Sequence, residues 1–515
     1  MKIKFFGHNC FFLEGENISI LSDPWLTDKG AFFGSWYQWP INHQYKSELI
    51  NILKDKKEVV LYISHEHQDH FDIDTLNLLL PHISKCIIPK YHDSFLLDQL
   101  KLIGFDVIEL SDLQRFSLSD NSFIELIIID TGVNHDSTAI INLDDEVFVN
   151  QNDCKIFDRL SYLADTEVDY YSVQFSGATG YPACYTMDKI EKHKISKQKV
   201  TTKLSAVRSA IKIVNPKYYF PSAGPAIFPF LKKDLSVGKN NIFVHQPELV
   251  KFLEKLNTKV ICLRPGEEFN KEIINPPIYP PTVTELKNLK KKLTCLFDEI
   301  SKDDLDTELL KKQVIIRLKQ IENLKFDKCP LLIFNWGNEG LEINLNDGTV
   351  TDLKMSQYNW TDNYMCLEAT PSYFGLMANS KYRWQDIYLN FRYTVRRIPE
   401  VFNTFVNIFI FSDVSNIRAG FETTLNIDEE RVVVVNTQNG KNYEISRYCP
   451  HNGADLKDAK INLQGNLVCP RHSWQFDLDA GGRCKSAEAT IEAREIESTT
   501  TLCEMVSARL LKIEK

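Results

Sequence analysis

The feature that most constrains this chain is the stretch Ser64-His65-Glu66-His67-Gln68-Asp69-His70, which follows the apolar run Val59-Val60-Leu61-Tyr62-Ile63. A short apolar run bounded by charge reads as a buried strand. Such a strand delivers His65, His67, Asp69 and His70, four metal-competent side chains, into a loop at one sheet edge. Three histidines and one aspartate fall within six positions, while the whole chain has 12 histidines in 515 residues, so scattered polar loop residues are the weaker account. Imidazole and carboxylate donors suit zinc, iron or manganese, and residue types alone do not choose among them.

The length exceeds one ordinary core and predicts several domains. Hydrophobic residues at 43% and charged residues at 25% are globular values. With a net charge of −9 and no basic block, duplex nucleic acid is not an expected partner. The first residues hold no apolar signal core and no run has membrane-spanning length, so a soluble, cytoplasmic protein is expected. Twelve cysteines spread along the whole chain read mostly as reduced thiols, Cys484 and Cys503 among them.

Strand-like runs at 2–6, 10–13, 18–21, 85–88, 123–129, 146–149, 170–174, 217–220 and 259–262 alternate with helical stretches at 94–102, 200–213 and 247–256. This alternation predicts a layered α/β domain over 1–270. Gly7-His8, Asp23-Pro24, the histidine loop and Asn152-Asp153 all follow strand ends, where a rigid scaffold presents function. Prolines 276, 277, 280 and 281 mark a linker, followed by amphipathic helix over 285–324. Strands at 331–335, 341–344 and 350–353 and aromatic core segments at 373–377 and 386–410 complete an α+β accessory region, 271–415. From 416 to 515 short strands and turns predict an all-β domain.

That last domain holds Cys449-Pro450-His451-Asn452-Gly453 and Cys469-Pro470-Arg471-His472-Ser473-Trp474. Cys-x-His, 17 intervening residues and Cys-x-x-His resemble a Rieske [2Fe–2S] domain. There Cys449 and Cys469 would hold one iron, and His451 and His472 the other, raising its potential. A Cys₂His₂ zinc site is the alternative. The proline after each cysteine and the following Trp474-Gln475-Phe476-Asp477 favour the cluster. Ala454 stands where high-potential respiratory members carry a disulfide cysteine, so the resemblance is to the ferredoxin and oxygenase kind, an electron relay.

Gly7-His8-Asn9-Cys10, Asp23-Pro24-Trp25-Leu26, the loop at 64–70 and Asn152-Asp153-Cys154 resemble the metallo-β-lactamase fold, an αββα sandwich. The resemblance implies that His65, His67 and a later histidine form one metal position, and Asp69, His70 and a bridging aspartate the second. Asp153 matches the bridge; His135 is the candidate later histidine, with Asn134 one residue away as the alternative. The last metal histidine of the fold would stand near 221–225, and its absence implies one metal. His65, His67 and Asp69 are the candidate catalytic residues.

A one-electron relay needs a redox-active partner, which zinc is not. Iron held by two histidines and a carboxylate leaves positions open for dioxygen. The pairing of domains resembles the CMP-N-acetylneuraminate hydroxylase family, also through Gly34-Ser35-Trp36-Tyr37, the segment 176–182 and Trp384-Gln385-Asp386-Ile387-Tyr388. Vertebrate members carry the Rieske domain first; this chain carries it last. The resemblance implies an iron-dependent monooxygenase acting on a nucleotide-activated N-acyl sugar, such as a CMP-sugar, or a related polar metabolite. It implies electrons from a reductase with a small cytochrome or ferredoxin, and Rieske oxygenases are often homo-oligomers. The alternatives are a phosphoester or lactone hydrolase with a regulatory Rieske domain, and a dioxygen or nitric-oxide reductase. Flavodiiron reductases have Glu where His67 stands, which counts against the last. Trp25, Trp36 and Trp39 are candidates for a pocket wall, and Arg208 or Arg264 for pairing with substrate phosphate or carboxylate.

Overall fold

The computed structural model describes residues 1–131, 135–326, 329–425, 432–437, 440–451, 453–485, 487 and 489–496. Its first sheet runs β1 (Lys2–Phe5), β2 (Phe11–Glu14), β3 (Ser19–Ser22), β4 (Val59–Tyr62), β5 (Lys85–Pro89) and β6 (Val107–Leu110) in that order. The pairs from β1 to β3 are antiparallel, and those from β3 to β6 are parallel.

The second sheet contains β7 (Arg115–Ser119), β8 (Ser122–Asp130), β9 (His135–Leu143), β10 (Glu146–Asn152), β11 (Tyr170–Gln174), β12 (Tyr218–Ser222) and β13 (Lys259–Val260). They lie side by side in chain order. Alternation along β8 shows why two layers form: Ile124, Leu126 and Ile128 enter the core shared with the first sheet, while Ile127 and Ile129 face the opposite core.

Helices α1 (Lys46–Lys54), α2 (Ile73–Leu79) and α3 (Phe95–Ile103) cover the first sheet through Leu49, Leu53, Leu76, Leu79, Leu96 and Leu100. Helices α4 (Lys189–Val214) and α5 (Gln246–Leu253) cover the second through Val207, Ile211, Val214, Leu249 and Leu253. The result is the expected αββα sandwich.

Helix α4 starts well before the expected residue 200. Asp188 caps it by accepting from the amides of Ile190 and Glu191, and left-handed Asn215 ends it. Its first half carries lysines at inward positions, so the apolar period alone missed it. Strand β9 is missing from the expected runs altogether; its first residues, His135-Asp136-Ser137-Thr138, are polar but paired with β8.

The accessory region is a five-stranded mixed sheet with helices. Helix Val283–Ile300 begins in a capping box formed by Thr282 and Glu285. The aromatic segments expected in its core are there: Tyr373, Phe374, Phe391, Tyr393, Phe405 and Phe409 are buried together. Residues 416–425, assigned from the sequence to the short-strand domain, instead lie in helix Val414–Leu425, whose Ile417 and Phe421 complete the accessory core.

The C-terminal strands begin at Val432–Asn436; Arg431, Asn439 and Cys503 lie outside the described residues. Two small sheets follow, of three and four strands. Among the described residues no helix is long and apolar enough to cross a membrane.

Candidate metal centres

The N-terminal centre is assembled where strands end. Strand β1 leads to His8, β3 to Asp23, β4 to the loop 64–70 and β10 to Asp153. His8, Asp23 and Asn152 take positive φ values of 52°, 37° and 45°. Non-glycine residues tolerate that region at a cost, and here it turns the chain sharply inward as it leaves each sheet.

Two groups of donors result, each with its donor atoms within 4.8 Å of one another: His65, His67 and Asp153, and His8, Asp69 and His70. His65 Nε2 lies 2.8 Å from His67 Nδ1. His8 Nε2 lies 3.2 Å from Asp69 Oδ2 and 3.3 Å from His70 Nε2. Asp153 Oδ1 stands 3.9 Å from His65 Nε2 and 3.6 Å from His70 Nε2, so it faces both groups. That oxygen is buried with no hydrogen-bond partner, the state expected of an acceptor awaiting a cation.

Neighbouring side chains fix the rings. Asp23 Oδ2 sits 2.8 Å from His70 Nδ1 and is itself held by Ser64 Oγ at 2.6 Å and Asn9 Nδ2 at 2.7 Å. The Gln385 side-chain amide donates to His67 Nε2 at 2.9 Å, and Arg383 donates to Glu66 at 2.9 Å. The accessory region thus clamps the histidine loop, and the Asp23 and Gln385 contacts leave the opposite nitrogens of His70 and His67 for metal.

The charge balance points the same way. Burial opposes ionisation of Asp153, but His65 and His70 hold it down at about 2. Burial and the charge of Asp153 push Asp136, 3.4 Å from His65 Nδ1, well above the usual range. Burial disfavours a charged His70, yet Asp153 and Asp23 raise it to about 10. Protons therefore occupy an excess of acceptor groups, and a metal entering here must displace them.

The structure does not bring His135 to this centre. Its ring stacks on Tyr91 at 4.7 Å, and it forms a separate group with His92 and Asp130. The reason is register: His135 pairs with Asp130 across β8 and β9, while the next residue, Asp136, faces His65. Asn134 lies outside the described residues. His8 is the donor that sequence reasoning missed. The Ala223 amide donates to the His8 carbonyl at 2.8 Å, so His8 stands beside the segment that lacks the expected late histidine. His8, Asp69 and His70 there form a second group of possible donors. A histidine directly after the first strand was the available signal.

His135 supplies a test of its own. Burial opposes its charge, but Glu66, Asp93 and Asp130 outweigh that and raise it to about 9. A histidine raised above its unfolded value near 6.5 contributes stability that is complete below 6.5 and lost as pH rises through the folded value. Chemical denaturation of the metal-free protein should show a loss on the order of 3 kcal/mol across that window, absent in His135→Gln. Parallel pH profiles for the two proteins would refute the assignment.

Of the candidate wall tryptophans, Trp25 has a ring contact with a donor of this centre. Trp36 is buried among Phe32, Phe228, Phe243 and Phe391, and its Nε1 donates to the Leu389 carbonyl at 2.7 Å. Trp39 donates to the Tyr279 carbonyl at 3.0 Å. Trp25 packs edge-on against His8 at 5.1 Å, a supporting contact. Arg208 is exposed and stacks over Phe252, and the Arg264 amide is engaged by Glu267. Trp36 and Arg208 are engaged in packing, whereas the Trp25 Nε1 is buried with no hydrogen-bond partner.

The second centre is built from two matching loops. The Cys449 amide donates to Ala454 and Gly453 donates back to Cys449, at 2.8 Å or slightly more; Cys469 with Trp474 and Ser473 repeats the pattern. Gly453 and Ser473 both take φ near +60°, which closes each loop. The rings of His451 and His472 are 4.5 Å apart, and Trp474 stacks on His451 at 4.2 Å. His451 Nδ1 and His472 Nδ1 are buried without hydrogen-bond partners, and the two buried cysteine thiols contact each other. Two thiols and two open imidazole nitrogens fit a [2Fe–2S] cluster with mixed ligands. Asn452 lies outside the described residues.

One segment joins the two centres. Asp153 belongs to the N-terminal donors, and five residues later Asp158 accepts from Arg471 Nη2 at 2.7 Å and from the Asp455 amide at 3.2 Å. Arg471 is adjacent to His472. Lys155, between the two aspartates, acts electrostatically on Asp153 and also on His451 and His472.

Residues 407–498 match the Rieske [2Fe-2S] domain family, and residues 2–128 match the beta-lactamase superfamily domain. A Rieske 2Fe-2S iron-sulfur protein of Mycolicibacterium smegmatis is 30% identical over 268 residues; the match spans half of this chain and half of that one. A protein of the same description from Mycobacterium tuberculosis is 24% identical over 95% of this chain and 98% of its own. A Streptomyces venezuelae protein, 4-amino-L-phenylalanyl-[CmlP-peptidyl-carrier-protein] 3-hydroxylase, is 26% identical over 24% of this chain and 23% of its own. The N-terminal region has the metallo-β-lactamase fold with a metal site suited to iron or zinc, and the C-terminal region is a Rieske domain that implies a [2Fe–2S] cluster.

Proposed function

We propose that the chain is an iron-dependent oxygenase in which the Rieske cluster passes electrons to the N-terminal metal centre of the same polypeptide. The observation that carries this reading is the 153–158 segment, which places a metal-facing carboxylate and the anchor of the Rieske ligand loop five residues apart. Hydrolysis consumes no electrons, so a relay fixed against a hydrolytic centre would have no role. A redox reaction gives it one. The similarity to a hydroxylase agrees with this class.

The overall reaction would be substrate C–H plus dioxygen, two electrons and two protons, giving C–OH and water. Iron at the N-terminal donors would supply dioxygen activation, and the cluster would supply electrons singly from an external reductase, small cytochrome or ferredoxin. Within the chain, Asp23, Gln385 and Ser64 hold the rings that carry the donors. Asp136, 3.4 Å from His65 Nδ1, is placed to hold a proton beside this centre. The two donor trios, with Asp153 of the first also facing His70 of the second, would accept two metal ions, His8 completing the second. The substrate class carried by the family resemblance is a nucleotide-activated N-acyl sugar or related polar metabolite.

The test supplies NADH, a reductase, candidate CMP-sugars and dioxygen labelled with heavy oxygen. Product with one heavy oxygen atom, lost in Cys449→Ser and in His65→Ala, is the expected result. Undiminished hydrolysis of those compounds without dioxygen or reductant would overturn the reading in favour of a hydrolase.

A further inference from the structure

Asp130 and His135 stand opposite each other where β8 passes into β9. Residues paired in register project to the same face, so both side chains lie on one side of the second sheet. Strand β5 ends at Pro89, and three residues on, His92 reaches the same place. His92 Nδ1 lies 2.6 Å from Asp130 Oδ1, and the His92 amide donates to Asp130 Oδ2 at 2.7 Å. His135 Nε2 lies 3.6 Å from that same Oδ1. The two imidazole rings are 5.0 Å apart and nearly perpendicular, at 79°. One donor atom from each of the three residues lies within 4.8 Å of the others.

His135 distinguishes this group from an ordinary ion pair. It is only 7% exposed, and among the described residues its Nε2 has no hydrogen-bond partner. A buried ring nitrogen left unpaired calls for a ligand. This one faces Asp130 at a distance too long for a hydrogen bond and close to the roughly 3.3 Å that separates two ligands of one tetrahedral metal ion. Behind the ring, Nδ1 lies 3.3 Å from Glu66 Oε1 and 3.6 Å from Asp93 Oδ2. A carboxylate against one ring nitrogen leaves the other bare for metal. Tyr91, stacked on the ring at 4.7 Å and 19°, fixes its plane.

The donor set selects the ion. Calcium and magnesium take oxygen ligands, whereas two imidazoles and one carboxylate suit a divalent transition metal. Nitrogen and oxygen donors hold zinc more tightly than ferrous iron or manganese. His92 and Asp130 are partly exposed, which gives the ion a way in and leaves a fourth position for water. None of the three residues belongs to either donor group of the N-terminal centre. Glu66 connects the two places, since its Oε1 also accepts from Arg383 Nη2 at 2.9 Å within the histidine loop's own clamp.

We propose that His92, Asp130 and His135 form a third metal site in the N-terminal domain, one that takes zinc. The ion fastens the loop after β5 to the junction of β8 and β9, and its ligand His135 braces Glu66 between His65 and His67. Its entry displaces the proton held between His92 and Asp130. The site does not depend on the oxygenase reading and goes beyond it.

The experiment titrates zinc into the intact holoprotein, with iron already in the cluster and the N-terminal centre, against a chromophoric chelator. X-ray absorption at the zinc edge then reads the ligands. One zinc per chain is expected, with two imidazole nitrogens at about 2.0 Å. Losing a residue that merely orients a metal ligand costs about 10–100-fold in affinity, so His92→Gln and His135→Gln, which remove ligands, should each cost at least about 100-fold. His92 is at the surface, so its variant leaves the core undisturbed, and circular dichroism with the visible Rieske absorption certifies folding. His82→Gln, at a partly exposed histidine elsewhere, should bind zinc like the unaltered protein. Zinc should raise the unfolding midpoint of the unaltered protein and leave that of His92→Gln unchanged. Zinc uptake only by displacement of iron would overturn the proposal. So would uptake indifferent to both substitutions but abolished by His67→Ala, which would place the ion among the donors already described.

Discussion

Asp153→Ala is expected to strip metal from both N-terminal positions while leaving the Rieske cluster intact. One oxygen of Asp153 faces His65 and His70, belonging to different donor groups, and has no other partner. Removing it deprives both groups at once and leaves His70 surrounded by fewer carboxylates. Loss of a partner that merely orients a metal ligand costs about 10–100-fold in affinity, so a shared ligand should cost at least about 100-fold. Elemental analysis should then find iron only in proportion to the cluster, with the reduced-cluster spectrum preserved. His8→Ala is expected to empty one position and spare the other, and His135→Ala to spare both. Full iron occupancy in the Asp153 variant would mean that the bridging role belongs to another group, with Asp136 the nearest alternative.

Asp158→Ala is the second large effect. Asp158 and Arg471 have side-chain exposures of only 3% and 7%, so their pair is buried. Removing one member of a buried pair typically costs about 3–5 kcal/mol, because the remaining charge is left in the interior. Here that cost falls on the docking of the cluster-bearing loop, since Asp158 also accepts from the Asp455 amide beside the first ligand loop. The expected outcome is a cluster that still assembles and reduces but no longer delivers electrons efficiently to the N-terminal centre. Reductant consumption per product formed should rise, and limited proteolysis should release the C-terminal domain sooner. Unchanged coupling and unchanged proteolysis would show that the domains are held by other contacts.

Much of this architecture was legible in the sequence because the informative signals are local. The cluster ligands sit in two short loops whose spacing is fixed by chemistry, and the histidine loop follows directly on an apolar strand. Alternation of strand and helix indicated a layered α/β domain, and the resemblance of its loop motifs to the metallo-β-lactamase fold implied the αββα order of the layers. What the sequence concealed is non-local. His8 joins Asp69 and His70 only because β1 and β4 end at the same sheet edge. Gln385 and Arg383 reach the histidine loop from more than 300 residues away, so their roles could not be read from spacing. His135 and Asp136 differ by one position, and strand pairing alone decides which of them faces the metal donors. The lysines of α4 obscured the helix that carries them, because they replace the apolar pattern by which helices are recognised.

The central claim is that electrons leave the Rieske cluster for the N-terminal metal centre within one chain. The most direct measurement is to reduce the holoprotein without oxygen, mix it rapidly with dioxygen, and follow reoxidation of the cluster by its visible absorption. The same is done with His67→Ala, which retains the cluster but lacks an N-terminal donor. The account predicts fast reoxidation in the unaltered protein and a rate at least about 100-fold slower in the variant, since the acceptor is gone. Equal rates in the two proteins would contradict it, showing that the cluster hands its electrons elsewhere.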